Sequence, residues 1–321
     1  MAQQKPKLLK KQDVMRKVIL ALTPCMAGSV YFFGWRALAV IAVSCLTAFV
    51  SEYIMARMRG EPVTEAVFVT GILFALVLPP TVPWHVVVIG SAFGVLFSKE
   101  VFGGFGSNVF NPALAGRCFV YICFPRPMTT MWAEPASLPL GGLTRWCTYT
   151  LDSITAATPM IEMKLKGVVP QLTGLLTGHI SGVMGATSVI LILIGGIYLY
   201  WKKIANRQTI LSLVITYALI NEGLRWAGVP QFHGALPAIM GGGFLFGAFF
   251  MATDPVSSPK TKEGRIFYGI LIASCTAIIR NFSIFNGGLM FSILLGNMFA
   301  PIIDYGVNEY KSKKKEKGAA K

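Results

Sequence analysis

Apolar residues fall into long runs divided by short polar or basic segments, and that rhythm predicts the architecture before any single residue does. A hydrocarbon core about 30 Å thick is crossed by about 20 apolar residues in a helix, fewer where the helix is broken and enclosed by protein. On this measure ten spans are expected, near residues 18–34, 37–56, 64–79, 84–99, 109–124, 184–201, 208–228, 235–252, 265–280 and 284–305. Several are short. "GILFALVLPP" (71–80) followed by "FNPALAGRCF" (110–119) is echoed by "GFLFGAFFMATDP" (243–255) followed by "FNGGLMFSIL" (285–294). Five spans per half is an odd number, so the copies would run in opposite senses across the membrane, an arrangement that places broken helices and sites near the midplane. Chance recurrence of Leu, Phe and Gly is the competing explanation of the echo. The expected fold is an all-α integral membrane protein of about ten transmembrane helices, arranged as two inverted five-helix repeats with broken helices. Its segments are a basic tail (1–17), a first transmembrane repeat (18–124), an extracytoplasmic loop (125–183), a second repeat (184–305) and a second basic tail (306–321).

Composition agrees: 54% of the 321 residues are hydrophobic and 13% charged, with a mean hydropathy of +0.60. Such a chain is too apolar for a soluble domain. The net charge of +15 would suit nucleic acid if the basic residues formed a face interleaved with aromatics. They gather instead at the tails and in the short loops. If the N-terminus is cytoplasmic, 21 of the 29 Lys and Arg lie inside, which puts both termini in the cytoplasm and the long loop on the far side. Nucleic acid is thereby excluded as a partner. The run from Val18 to Phe33 behind a basic segment resembles a secretory signal, but no small-residue cleavage site precedes a soluble domain, so a first transmembrane helix is expected. Six cysteines include no C-x-x-C pair, and the three histidines (His85, His179, His233) are far apart. A metal site or iron-sulfur cluster made by this chain alone is not expected.

Against this apolar background, "TLDSITAATPM" (150–160) is small, hydroxyl-rich and carries one acid. The spacing D-x-x-[ST]-x-A-T, here Asp152, Thr155, Ala157 and Thr158, should occur by accident in on the order of one such chain in a hundred. Pro159 pushes Thr158 toward extended backbone, and the alanines leave its hydroxyl unshielded, as a modification site requires. A turn in which Asp152 and Thr155 bond their own backbone is the plainer alternative. Ionisable and amide groups in spans are functional candidates by default, which singles out Glu100, Asn108, Asn111, Arg117 and Asp254 for a second cofactor or an ion path. Each has a structural alternative: a snorkelling Lys99–Glu100 pair, helix caps around Pro112 for the asparagines, and an Asp-Pro turn for Asp254. "GGFG" (103–106) and "GGG" (241–243) lack the lysine and hydroxyl of a phosphate loop and suit close packing or a backbone break beside a ligand.

"DSITAATPM" resembles the flavin-attachment motif of the family that comprises the integral-membrane D subunit of Rnf complexes and the B subunit of sodium-pumping NADH:quinone reductase. The resemblance extends to "SKEVFGGFGSNVFNPALAGRCFVYICFP" (98–125), "LIGGIYLYWKK" (193–203) and "FFMATDPVSSP" (249–259), and so covers nearly the whole chain. It implies a ten-helix fold with inverted repeats and FMN joined to Thr158 by a phosphoester bond, installed by a separate flavin transferase. A second, non-covalent flavin such as riboflavin is allowed near the broken helices. Two departures stand out: Ala156 replaces a glycine common in relatives, and Ala186 replaces an acid. The family also implies a multi-pass subunit in the inner membrane of a bacterial or archaeal cell, assembled with the other Rnf subunits (A, B, C, E and G). Electrons would pass through the flavin while Na⁺ or H⁺ crosses the bilayer, and the chain would not be catalytic alone. Trp132, Trp146 and Tyr149 offer a face for a partner's flavin domain, or interface anchors. A cofactor-free inverted-repeat transporter or channel for a small solute is the alternative function.

Overall fold

A computed structural model describes residues 8–136, 140–147, 159–283, 285 and 287–319. Helices α1 (Asp13–Phe33) and α2 (Trp35–Arg59) meet at Gly34 alone. There the backbone has φ +84, and an added Cβ would collide with the Arg145 carbonyl. α3 (Ala66–Leu76) stops ahead of Pro79 and Pro80, which cannot continue a helix. α4 (Trp84–Val95) widens into a π-helical turn, Leu96–Glu100, and α5 is Pro112–Cys123. The loop that follows contains α6 (Pro125–Thr129), α7 (Pro159–Lys166) and α8 (Leu172–Thr177). The second half contains α9 (Val189–Trp201), α10 (Arg207–Trp226), α11 (Ala235–Met240) and α12 (Phe244–Phe246), which ends in a second π-helical turn, Gly247–Met251. It closes with α13 (Lys262–Phe282) and α14 (Gly288–Ala319), the latter running unbroken into the basic C-terminal residues.

Among the described residues, three helices are long and apolar enough to cross a membrane: α2, α13 and residues Gly288–Lys317 of α14. α3, α5 and α9 are apolar but shorter. The span expected over 235–252 is broken, because Gly242 and Gly243 sit at φ +58 and +68, a left-handed conformation that a helix cannot contain. The long helices expose large apolar residues, and α2 buries mostly small ones, among them Ala37, Ser44, Ala48 and Ala56. On α10, Leu211, Ile215 and Leu219 form an exposed stripe one turn apart, as Ile190, Ile194 and Ile197 do on α9. That is the reverse of a soluble helix and the surface lipid requires.

α2 packs on α3, α4 on α5, and α10 on α13, which packs in turn on α14, while α1 against α9 joins the two halves. α4 and α5 approach closely because glycines face each other: a Cβ on Gly116 would lie 2.5 Å from the Gly90 carbonyl. One feature is absent from the hydrophobic pattern. The basic N-terminal segment forms β1 (Leu9–Lys10), which pairs in parallel with β2 (Val63–Thr64). Arg16 and the Gln12 backbone N–H both donate to the Glu65 carboxylate, at 2.6 and 2.7 Å.

Candidate functional site

Two cavities lie at opposite ends of the helices they share. One is lined by the start of α3, the N-cap of α5 and the end of α9; the other by Val77 after α3, the later turns of α5 and the segment before α9. The second of these sits on the side of the long loop. Arg117 and Tyr121 reach it from α5, Trp132 and Met160 from the loop, and Gly242 and Gly243 from the break after α11. Arg280 holds that break in shape, donating to the carbonyls of Ala238 (3.0 Å) and Gly242 (2.9 Å) and to the Tyr217 hydroxyl (3.2 Å). Arg117 has no such bonds to a described residue, and its Nε, like that of Arg280, is buried without a hydrogen-bond partner among the described residues.

The loop around this cavity is moored at both sides of the stretch singled out by sequence. On one side the Trp35 indole donates to the Leu143 carbonyl (2.7 Å), and Arg36 donates to the carbonyls of Cys147 (3.2 Å) and Val82 (2.8 Å). Cys147 is buried, and that burial raises its thiol above the usual range although Arg145 and Arg36 pull the other way. On the other side, Lys164 of α7 donates to the carbonyls of Arg280 (3.1 Å) and Ser283, and burial lowers its ammonium below the ordinary lysine value. Asp152, Thr155, Ala157 and Thr158 lie outside the described residues, as does Tyr149. Pro159 is the next described residue, and Met160, two residues past Thr158 in sequence, lines the cavity. Trp132 does not offer a partner face: it is buried, donates to the Thr129 carbonyl at 2.7 Å and lines the same cavity. Trp146 is exposed. Ala186, at the position where the family pattern has an acid, lines the cavity too.

The opposite cavity, about 730 Å³, gathers Lys99, Asn108, Asn111 and Asp254, residues drawn from two distant stretches of sequence. Asn111 does cap α5, accepting from the N–H groups of Ala113 (3.1 Å) and Leu114 (3.3 Å). Asn108 makes no such cap and donates to the Phe110 carbonyl. Asp254 closes a turn, accepting from Val256 N–H (3.3 Å) and the Ser257 hydroxyl (2.8 Å). Lys99 and Glu100 do pair, Nζ to Oε1 at 3.8 Å, but they do not snorkel: both are buried, and each has a closer partner, Glu52 for Lys99 and Arg59 for Glu100. Thr64 completes the cluster, its hydroxyl accepting from Lys99 (3.1 Å) while its N–H and O–H donate to Glu52 (2.8 and 2.7 Å). Glu100 Oε1 is buried without a hydrogen-bond partner among the described residues. Glu52 had a signal of its own in the sequence, as an acid in the middle of the apolar run 37–56.

A thin partition divides the two cavities. Asn111 donates to the Met251 carbonyl at 3.4 Å, joining the start of α5 to the second π-helical turn. From Asn111 to Arg117 is about 9 Å along the helix axis.

A polytopic helical membrane protein with two cavities that meet opposite ends of α3, α5 and α9 is the class these observations define. The chain belongs to the NQR2, RnfD, RnfE family, which it matches over residues 5–313. It is 36% identical over 309 residues to the D subunit of the proton-translocating ferredoxin:NAD(+) oxidoreductase complex of Clostridium ljungdahlii, covering 91% of this chain and 88% of that protein. It is 35% identical over 317 residues to the D subunit of the Na(+)-translocating ferredoxin:NAD(+) oxidoreductase complex of Acetobacterium woodii, covering 94% and 93%. The D subunit of the ion-translocating oxidoreductase complex of Tolumonas auensis is 33% identical over 323 residues, covering 91% and 92%.

Proposed function

We propose that this chain is the membrane subunit of an ion-translocating ferredoxin:NAD oxidoreductase of the Rnf type, carrying FMN on Thr158 and passing electrons through it while Na⁺ or H⁺ crosses the bilayer. The observation that carries the reading is the cavity that opens at Met160, two residues beyond Thr158. Its walls suit a planar aromatic ring: Trp132, Tyr121 and Phe246 with the methionines Met128, Met160 and Met251. The flavin, when bound, supplies the electron chemistry. The protein's part is to fix distance and access. A cofactor joined through its phosphate needs little non-covalent affinity, because the tether keeps its local concentration high. The moorings at Trp35, Arg36 and Lys164 hold the two flanks of the attachment stretch near the cavity.

The cavity with Lys99, Asn108 and Asp254 would hold a second flavin such as riboflavin or form part of the ion path, with Glu100 beside it. Ten spans follow if α4 and α12 each count together with their π-helical turns, giving α1–α5 in the first half and α9, α10, α11–α12, α13 and α14 in the second. The packing of α1 on α9 suits two related halves. The gathering of basic residues at the tails and short loops supports cytoplasmic termini, with the protein in the inner membrane of a bacterial or archaeal cell. A flavin transferase and the remaining subunits of the complex are the partners. Relatives of 36% and 35% identity are named for protons and for Na⁺ respectively, so the ion is set by local ligands rather than by overall similarity.

Protein made alongside a flavin transferase should give a fluorescent flavin band on a denaturing gel, and Thr158→Ala should abolish it. A bare peptide in intact-mass measurement, or fluorescence that survives the substitution, would refute the attachment and favour a cofactor-free transporter.

A further inference from the structure

Arg117 stands alone in the cavity beside the attachment stretch. Among the described residues lining that cavity it is the only charged side chain, and Tyr121, one turn further along α5, is the only other titratable one. No carboxylate among the described residues pairs with it, its Nε lacks a hydrogen-bond partner among them, and its Nη2 lies 4.0 Å from where a Cβ on Gly287 would be. An uncompensated guanidinium in a low-dielectric interior costs several kcal/mol, and intramembrane charges are retained where they serve a ligand or a pathway. The cavity therefore holds a fixed positive charge that none of the described residues neutralises.

We infer that Arg117 is the positioning charge for the reduced flavin ring: it offsets the negative charge an isoalloxazine gains when it takes one electron without a proton, and so raises the potential of that step. The inference rests on the reading that FMN is joined to Thr158. The electron comes from a one-electron carrier of the assembled complex, and no proton is taken up. Two anions could meet Arg117, the phosphate of the tether or the reduced ring. The phosphate would be joined two residues before Met160, which lies against Gly241 and Gly242. The cations on that side, Lys164 and Arg280, are already committed to backbone carbonyls. Arg117 belongs to a different wall, that of α5 and Gly287, which assigns it to the ring rather than to the tether. A guanidinium can also stack on or donate in the plane of an aromatic ring, which an ammonium does less well.

The test is spectroelectrochemical titration of the purified, flavin-bearing subunit in detergent, with in-gel fluorescence as a parallel measure of flavin content. Arg117→Gln should leave the fluorescent band intact and lower the first one-electron potential by a tenfold or greater loss of electron affinity, about 59 mV for a one-electron couple. Arg117→Lys should recover most of that shift. In the unsubstituted protein the first potential should not change between pH 6 and 9, a measurement that does not depend on any variant folding. A slope of about 59 mV per pH unit, or an unchanged potential in Arg117→Gln with full flavin content, overturns the inference. A fall in flavin content with no change in potential also overturns it, assigning Arg117 to the phosphate. A bare band in the unsubstituted protein removes the flavin reading, and this inference with it.

Discussion

At the scale of single residues, the buried charges decide what can be changed. Lys99 sits between Glu52 and the Thr64 hydroxyl, with no solvent to take over either contact. Lys99→Ala would leave the Glu52 carboxylate buried and unpaired, and the unfolding midpoint in detergent should report a loss of about 3–5 kcal/mol. Lys99→Met combined with Glu52→Gln should recover most of that loss, since the glutamine carbonyl still accepts from Thr64. Asn111 has two separable tasks. Asn111→Ser keeps a capping oxygen but is too short for the Met251 carbonyl, whereas Asn111→Ala loses both and should cost about 1 kcal/mol more. The same melts decide it. Of the candidate site, Asn108, Asn111, Arg117 and Asp254 were legible as polar groups in apolar surroundings. Their grouping was not. Periodicity along a chain says which face a residue occupies, but not that Asp254 shares a cavity with Asn108, or that Arg117 belongs to the opposite one.

At the scale of elements, the long apolar helices α2, α13 and α14 were legible because length and hydropathy are all that a bilayer asks of them. The broken ones were harder. The run 235–252 is as apolar as its neighbours, yet Gly241–Gly243 divides it, and the extent of helix on either side depends on Arg280 of α13. The pairing of β1 with β2 had no apolar signal to betray it. The corner at Gly34 is the element on which the loop depends, since the backbone there is in a region that only glycine occupies comfortably and the Arg145 carbonyl fills the space a side chain would need. Gly34→Ala should cost about 1–3 kcal/mol of local strain and loosen residues 141–147. The buried Cys147 thiol reports on this directly. It should resist a water-soluble maleimide in the native protein and react roughly tenfold faster in the variant, the factor that ~1.4 kcal/mol of easier opening produces. An unchanged alkylation rate would show that the corner does not hold the loop.

At the scale of the whole molecule, the two cavities share α5 and the second π-helical turn and meet opposite ends of α3 and α9, so a shift of any of these elements is felt in both. Coupling between electron flow and ion movement needs such a shared part, with two arrangements that both sites bias. Asp254 and Glu100 stand on the side away from the attachment stretch. In the assembled complex, Asp254→Asn and Glu100→Gln should slow ion movement per electron transferred while flavin content stays unchanged. Full ion movement in both variants would take these carboxyls off the path.

The clasp between residues 9–10 and 63–64 has a consequence for how the chain is made. Synthesis delivers the tail first and its partner strand only later, after the hairpin of α1 and α2 has been laid down. During that interval Leu9, Lys10 and Arg16 have no partner to hold them. Once Val63, Thr64 and Glu65 arrive, strand pairing and the Glu65 carboxylate fasten both ends of the hairpin together, so that α1 and α2 are enclosed in a closed loop of chain.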